Sequence, residues 1–215
     1  MKKDLTELVF ILDKSGSMAG LEGDTIGGYN SMLKKQQGAE GEAVVTTVIF
    51  NHDYELLHDR INIKGISPIA EEDYEVSGTT ALFDAIGFSI QKIANVQKKT
   101  KEEERAEKVL FVITTDGMEN SSKEYNATKI KKMIEHHKEK DGWQFIFLGA
   151  NIDAVTTAAH FGISEDYAVD YHADEKGTQL NYEVLNEAVT NFRKESKIDR
   201  NWKKGIEEDF HSRSK

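Results

Sequence analysis

Residues 7–17 have the sequence ELVFILDKSGS, and this stretch decides the fold. Its apolar part, residues 8–12, has the length and continuity of a β-strand that is buried on both faces, as in a parallel sheet. Asp13, Ser15 and Ser17 follow at alternate positions of the next loop. Ligands of open α/β sheets bind at the carboxyl ends of the strands. The stretch therefore predicts a central strand that leads into a ligand-binding loop.

The three oxygen-bearing side chains of this loop suit a hard divalent cation. Mg²⁺ takes oxygen ligands in a near-octahedral shell and often keeps several waters. One carboxylate and two hydroxyls would neutralise only part of its charge and leave one face open. Aspartate and serine also commonly cap the helix that follows such a loop. The loop by itself fits both interpretations.

The rest of the chain alternates strand-like and helix-like segments, which predicts the α/β class. We expect a Rossmann-like, doubly wound, mostly parallel central sheet with helices on both faces. Strands are predicted over residues 7–12, 43–50, 54–63, 108–115 and 143–148, with a weaker one over 167–171. Helices are predicted over residues 24–37, 80–98, 123–140, 153–161 and 180–194.

One pair of strands departs from the parallel arrangement. Only residues 51–53 separate the second predicted strand from the third. Three residues cannot form the crossover that parallel neighbours need, so these strands should form an antiparallel hairpin at one edge of the sheet. The sheet should therefore have one antiparallel edge strand.

The chain is expected to contain one α/β domain of residues 1–195 and a charged tail of residues 196–215. Within the tail, Trp202, Ile206 and Phe210 have helical spacing, so we expect either a short helix or a disordered segment. Gly27 and Gly28 inside the first predicted helix weaken it. We interpret them as a sign of close packing against a neighbouring helix.

Two further segments carry oxygen-bearing side chains to the same edge of the predicted sheet. Residues 77–82 (SGTTAL) precede a helix and present Thr79, whereas residues 109–117 (VLFVITTDG) form a buried strand that ends in Asp116. If the first and fourth strands are neighbours, these side chains converge with those of the first loop. Thr79 could also cap its helix, and Asp116 could bind turn amides.

This three-part pattern resembles the metal-ion-dependent adhesion site of the von Willebrand factor A family. In that family, Asp-x-Ser-x-Ser is followed by a Thr and then by an Asp next to a Gly. The resemblance spans about residues 5–193, and one departure is Ser77 in the segment where Gly-Gly-Thr is usual. Stand-alone intracellular bacterial members look most similar. Matched residue by residue, the resemblance assigns a metal site to Asp13, Ser15, Ser17, Thr79 and Asp116.

The resemblance also implies how such a site works. The hydroxyls contact the ion directly or through water, the aspartates often act through water, and a partner protein supplies an Asp or Glu. The ion expected is Mg²⁺, with Mn²⁺ or Ca²⁺ as alternatives. Gly78, Asn151 and Asp153 are candidates for the rim that meets the partner, although Asn151 is first expected to cap a helix. His136 and His137, consecutive on a helix, are expected to point apart and to be solvated.

The composition excludes several classes of partner. The formal net charge is −10, whereas nucleic acids and anionic membranes attract basic surfaces. The chain has no cysteine, which excludes a disulfide framework and a thiolate nucleophile and fits a reducing, cytoplasmic location. No apolar stretch approaches the length of a membrane helix. The oligomeric state is not indicated.

Two classes of function, and a third without a metal, remain open at this point. A divalent-metal-dependent protein-binding module is favoured. A Mg²⁺-dependent phosphoester hydrolase is the alternative, but such enzymes typically carry a second aspartate two positions after the first, where this chain has Ser15. A metal-free scaffold is the third possibility. We therefore expect a protein that is not an enzyme.

Overall fold

The computed structural model describes residues 1–213, in which strands and helices alternate along the chain. The strands are β1 (Lys2–Asp13), β2 (Glu42–Phe50), β3 (Tyr54–Asn62), β4 (Ala106–Thr115), β5 (Gln144–Ala150) and β6 (Ala168–Tyr171). The α-helices are α1 (Glu22–Gln37), α2 (Leu82–Lys99), α3 (Ala127–Asp141), α4 (Ala154–His160), α5 (Glu175–Glu195) and α6 (Lys204–Arg213).

The six strands form one sheet in the order β3-β2-β1-β4-β5-β6. β2, β1, β4, β5 and β6 are parallel, and β3 pairs with β2 in the antiparallel direction at the edge. The predicted fold class is therefore confirmed, including the antiparallel edge strand that follows the short connection of residues 51–53.

Helices cover both faces of the sheet. On one face, Leu8, Phe10 and Leu12 of β1 belong to a core formed with α1, α5 and α6. On the other face, Val9 and Ile11 belong to a core formed with α2, α3 and α4. This burial on both sides explains why β1 has a continuous apolar run instead of an alternating pattern.

The order of the strands reverses at β1, and this reversal positions the loops that follow β1 and β4. From β1 the chain passes to β2 on one side, and later returns to β4 on the other side. Leu12 pairs with Thr114, so Asp13 and Asp116 leave the sheet beside each other at its carboxyl edge. Crevices at such reversals are the usual ligand sites of open α/β sheets.

The close packing predicted for the first helix occurs at Gly28. A Cβ atom on Gly28 would lie 2.2 Å from Cδ2 of Tyr182 in α5, whereas the space beside Gly27 is open. Only one of the two glycines thus allows α1 to approach α5.

The C-terminal segment packs on the domain as a helix. Ile206 of α6 is buried in the same core as α1 and α5. Just before the helix, Trp202 Nε1 donates a hydrogen bond of 2.9 Å to the carbonyl oxygen of Asp166. The last two residues of the predicted tail, 214–215, lie outside the described residues. Within residues 1–213, no helix combines the length and the apolar character needed to cross a bilayer.

Candidate metal centre

The loop after β1 is fixed by main-chain hydrogen bonds to its neighbours. Lys14 N donates to the carbonyl oxygen of Phe50 at 2.7 Å, and Gly16 N donates to that of Gly78 at 3.0 Å. The Tyr74 hydroxyl donates to the main-chain oxygen of Asp13. These bonds hold the loop against the end of β2 and against the segment that precedes α2.

Asp13 is buried at the end of β1, with 1% of its surface exposed. Its Oδ1 accepts a hydrogen bond of 2.7 Å from Ser15 N, and its Oδ2 accepts one of 2.5 Å from Thr115 Oγ1. Burial raises the pKa of the Asp13 carboxyl from 3.8 to about 6, although the hydrogen bonds from Thr115 and Ser15 oppose this shift. The carboxylate is thus held in one orientation by its own loop and by β4.

Ser15, Ser17 and Asp116 form a chain of hydrogen bonds across the β1–β4 boundary. Ser17 Oγ donates to Asp116 Oδ1 at 2.5 Å, and its distance to Ser15 Oγ is 3.2 Å. The second carboxylate oxygen, Asp116 Oδ2, is buried and has no hydrogen-bond partner within residues 1–213. Burial also raises the pKa of this carboxyl, against the hydrogen bond from Ser17. A buried oxygen without a partner is costly, so a ligand there would satisfy it.

Gly117 leaves a space into which three hydroxyls point. A Cβ atom at this position would lie 2.9 Å from Ser17 Oγ, 3.1 Å from Thr80 Oγ1 and 3.7 Å from Ser15 Oγ. The hydroxyls of two loops therefore meet beside the loop that carries Asp116.

The threonine of this cluster is Thr80, which takes the place that the sequence predicted for Thr79. Thr79 is exposed, whereas Thr80 is buried. Thr80 N donates to Asn120 Oδ1 at 2.9 Å, and Asn120 N donates to the carbonyl oxygen of Thr80 at 3.0 Å. This pair of bonds with the β4–α3 loop turns the Thr80 side chain towards the serines. The Gly-Gly-Thr segment of the resemblance then corresponds to residues 78–80.

Three supporting residues were missed by the sequence analysis: Tyr74, Thr115 and Asn120. Thr115 gave a usable signal in the sequence, because it directly precedes Asp116 at the end of a predicted strand. In the structure its hydroxyl donates a hydrogen bond to Asp13. Tyr74 and Asn120 lie in irregular segments, and their roles depend on contacts between loops that the sequence alone does not reveal.

The predicted rim residues have different local roles. Gly78 has a φ of 75°, a left-handed conformation that favours glycine, and its carbonyl oxygen binds Gly16 N. Asp153 caps α4, because its Oδ1 accepts a hydrogen bond of 2.8 Å from Thr156 N. The helix-capping role first expected for Asn151 thus belongs to Asp153, and Asn151 occupies an exposed left-handed turn with a φ of 54°. A partner contact by these residues stays a prediction.

The donor set fits a hard divalent cation. It consists of oxygen atoms only, namely the carboxylates of Asp13 and Asp116 and the hydroxyls of Ser15, Ser17 and Thr80. Such donors match the preference of Mg²⁺, Mn²⁺ and Ca²⁺. A bound ion and its waters would use two features of the cluster: the space beside Gly117, and Asp116 Oδ2, which has no hydrogen-bond partner in the part of the chain that the structure describes.

No family model and no curated protein matches this sequence. Solved structures do match. The von Willebrand factor domain of the type V pili tip protein Mfa5 from Porphyromonas gingivalis has a TM-score of 0.58 at 9% identity, with 85% of this chain and 95% of that chain covered. Manganese-loaded TRAP protein from Plasmodium vivax has a TM-score of 0.54 at 15% identity, with 84% and 73% covered.

Proximal thread matrix protein 1 from the mussel byssus, with a zinc-occupied MIDAS motif, has a TM-score of 0.54 at 15% identity. The similarity covers 86% of this chain but only 46% of that chain, so the present chain spans less than half of the mussel protein. At these identities the similarity shows the fold alone. The chain has the Rossmann-like fold of von Willebrand factor A domains.

Proposed function

We propose that the protein is a divalent-metal-dependent binding module that recognises an acidic side chain of a partner protein. One observation carries this proposal: the hydroxyls of Ser15, Ser17 and Thr80 converge beside Gly117, next to Asp116, whose buried Oδ2 has no hydrogen-bond partner within residues 1–213. Two proteins of similar structure, the manganese-loaded TRAP protein and the mussel protein with a zinc-occupied MIDAS motif, support a divalent ion in this fold.

The proposed ligands are of two kinds, neutral and negatively charged. Ser15, Ser17 and Thr80 offer neutral hydroxyls, and Asp13 and Asp116 supply the negative charge. The hydrogen bonds from Ser15 N and from Thr115 Oγ1 hold the Asp13 carboxylate between its own loop and β4, whereas Asp116 Oδ2 has no hydrogen-bond partner among residues 1–213. A divalent ion held by mostly neutral oxygens retains attraction for an anionic oxygen, and a carboxylate of the partner would meet that need.

We propose Mg²⁺ as the resident ion, with Mn²⁺ or Ca²⁺ as alternatives, because all five ligands are hard oxygen donors. We also propose that the site binds without turnover. Ser15 stands where phosphoester hydrolases of similar sheets typically have their second aspartate, and a serine hydroxyl is a poor general acid or base near neutral pH.

A pair of adjacent variants tests the site. Calorimetric titration with Mg²⁺ and Mn²⁺ should give at least tenfold weaker binding for Thr80→Val than for the wild type, because valine keeps the shape and loses the hydroxyl. Thr79→Val is the matched control and should bind as the wild type does. Equal binding by all three proteins would overturn the proposed ligand set, and selective loss in Thr79→Val would return the role to Thr79.

A further inference from the structure

The last two turns of α3 carry a second group of side chains that can bind a metal. α3 ends at Asp141 and β5 begins at Gln144, so this end of α3 lies at the amino ends of the parallel strands. The candidate metal centre described above lies at their carboxyl ends, across the length of the sheet. The two sites are therefore separate and share no residue.

His136, His137 and Asp141 each place one potential ligand atom within 4.8 Å of those of the other two. The two imidazole rings lie 5.1 Å apart, centroid to centroid, and His137 Nδ1 is 2.6 Å from Asp141 Oδ2. The sequence-based expectation that the histidines point apart is thus wrong. Consecutive side chains leave a helix about 100° apart around its axis, but the imidazole side chains are long enough for the two rings to approach each other.

His137 is packed between Trp143 and Asp141, whereas His136 lies at the surface. The His137 ring stacks on Trp143 at 4.1 Å between centroids with an interplanar angle of 11°, and its side chain is 14% exposed. Trp143 is itself buried and stacks on Phe111. His136 is exposed. Because the three ligand atoms already lie within 4.8 Å of one another, the group needs little rearrangement to close around an ion.

The position of the group at a helix end and beside a cavity suits a cation with an open coordination position. The carboxyl end of a helix carries partial negative charge, which favours cations near its last turn. A surface cavity of about 500 Å³ adjoins His137, Asp141 and Trp143, and its charged lining is mixed: Glu102, Glu107, Lys98, Lys140 and Arg105. This cavity has room for a water molecule or a small anion as a further ligand.

We propose that His136, His137 and Asp141 bind Zn²⁺, or a transition metal of similar preference, with the fourth position facing the cavity. Two imidazoles and one carboxylate form a donor set suited to zinc and poorly suited to Mg²⁺. Zinc at about 2.0–2.1 Å from its ligands places tetrahedral ligand atoms roughly 3.3 Å apart. The His137–Asp141 pair therefore opens slightly, and His136 swings inward, with the main chain unchanged.

Calorimetry with Zn²⁺ tests the proposal in an Asp116→Ala background, which weakens zinc binding at the first centre. In this background, titration should give one saturable site. Adding His136→Gln should weaken that binding at least tenfold, since glutamine keeps a polar, exposed side chain and removes the imidazole. Adding His160→Gln, at another exposed histidine, should leave it unchanged. Absence of saturable binding, or equal binding by both histidine variants, would overturn the proposal.

Trp143 supplies a second readout that reports location. The chain has two tryptophans, so Trp202→Phe leaves Trp143 as the only indole. Co²⁺, which takes zinc-type ligands and quenches indole fluorescence at short range, should quench Trp143 with saturation at one equivalent. His136→Gln should remove the saturable phase. Quenching that persists in full in this variant would place the ion elsewhere and contradict the assignment.

Discussion

At the scale of single residues, Glu7 shows how a buried charge can be kept in the middle of a sheet. Its side chain is fully buried in β1, and its Oε2 accepts a hydrogen bond of 2.8 Å from Arg60 Nε on the edge strand β3. Burial raises the pKa of the Glu7 carboxyl above 4.5, while the Arg60 guanidinium lowers it and Asp59 raises it further. Burial therefore disfavours the ionised carboxylate more than the ion pair with Arg60 favours it.

This shift predicts a pH dependence of folding stability. The pKa of Glu7 is higher in the folded than in the unfolded protein, so the folded state binds more protons in the window that begins near pH 4.5. Stability contributed by Glu7 is present below this window and is lost as the pH rises through it. Glu7→Gln removes the titration. The difference in unfolding free energy, wild type minus variant, should therefore fall between pH 4.5 and pH 7.

Urea denaturation of both proteins at the two pH values measures that difference. The wild type gaining stability relative to Glu7→Gln over this range would contradict the prediction. The comparison should be made in chelator, so that metal binding at other residues does not contribute.

The choice between Thr79 and Thr80 marks the limit of prediction from sequence at this scale. Both residues carry the same hydroxyl, and they follow Gly78 one after the other. Which one faces the serines depends on the left-handed turn at Gly78 and on the paired hydrogen bonds between Thr80 and Asn120. Asn120 lies 40 residues away, and a single sequence gives no sign of that contact.

At the scale of single elements, α1 offers a matched pair of glycines for a test. Gly27 and Gly28 are consecutive in the helix, but a Cβ atom meets open space at the first and the ring of Tyr182 at the second. Alanine is favoured over glycine inside a helix by roughly 0.5–1 kcal/mol. Overpacking against a ring that is itself buried costs about 1–3 kcal/mol.

Gly27→Ala should therefore stabilise the protein, and Gly28→Ala should destabilise it through the displaced Tyr182 ring. Thermal unfolding of the two variants beside the wild type should give shifts of the melting temperature in opposite directions. Equal upward shifts would mean that the α1–α5 contact adjusts without cost and that Gly28 has no packing role.

Element boundaries could be predicted only where their signals are local. The helix predicted from residue 123 begins at Ala127, because the main-chain amides of Lys123, Glu124 and Tyr125 all donate to the Asp84 carboxylate of α2. That contact holds the segment in a non-helical turn until Asn126 caps the helix. Conversely, the alternating strands, the edge hairpin and the buried faces follow from local pattern and connection length, and these were predicted correctly.

At the scale of the whole molecule, net charge and local charge have opposite effects on the proposed partner. The chain has a formal net charge of −10, so its long-range field repels an acidic protein. Attraction would have to come from the ion at the candidate metal centre. Long-range repulsion between exposed charges is screened by salt over a Debye length of about 8 Å at physiological ionic strength, whereas contact at the ion is screened much less.

Binding of the partner should therefore survive moderate added salt, or become faster, and should be abolished by EDTA. Surface plasmon resonance with the captured partner, at 50 mM and 300 mM NaCl and with or without chelator, measures both effects. Asp116→Ala serves as the control without the ion. Binding that persists in EDTA, or that collapses at 300 mM NaCl, would show that another surface makes the contact.

The central position of β1 has a mechanical consequence. This strand runs from Lys2, at the amino ends of the parallel strands, to Asp13, at their carboxyl ends. It has parallel partners along both sides. A pulling force between the N-terminus and a partner bound at the Asp13 loop would act along the axis of β1. The hydrogen bonds of both ladders would then share the load in shear, instead of breaking one after another as in peeling. A bond made at this loop would thus pull on the sheet in the direction in which it resists best.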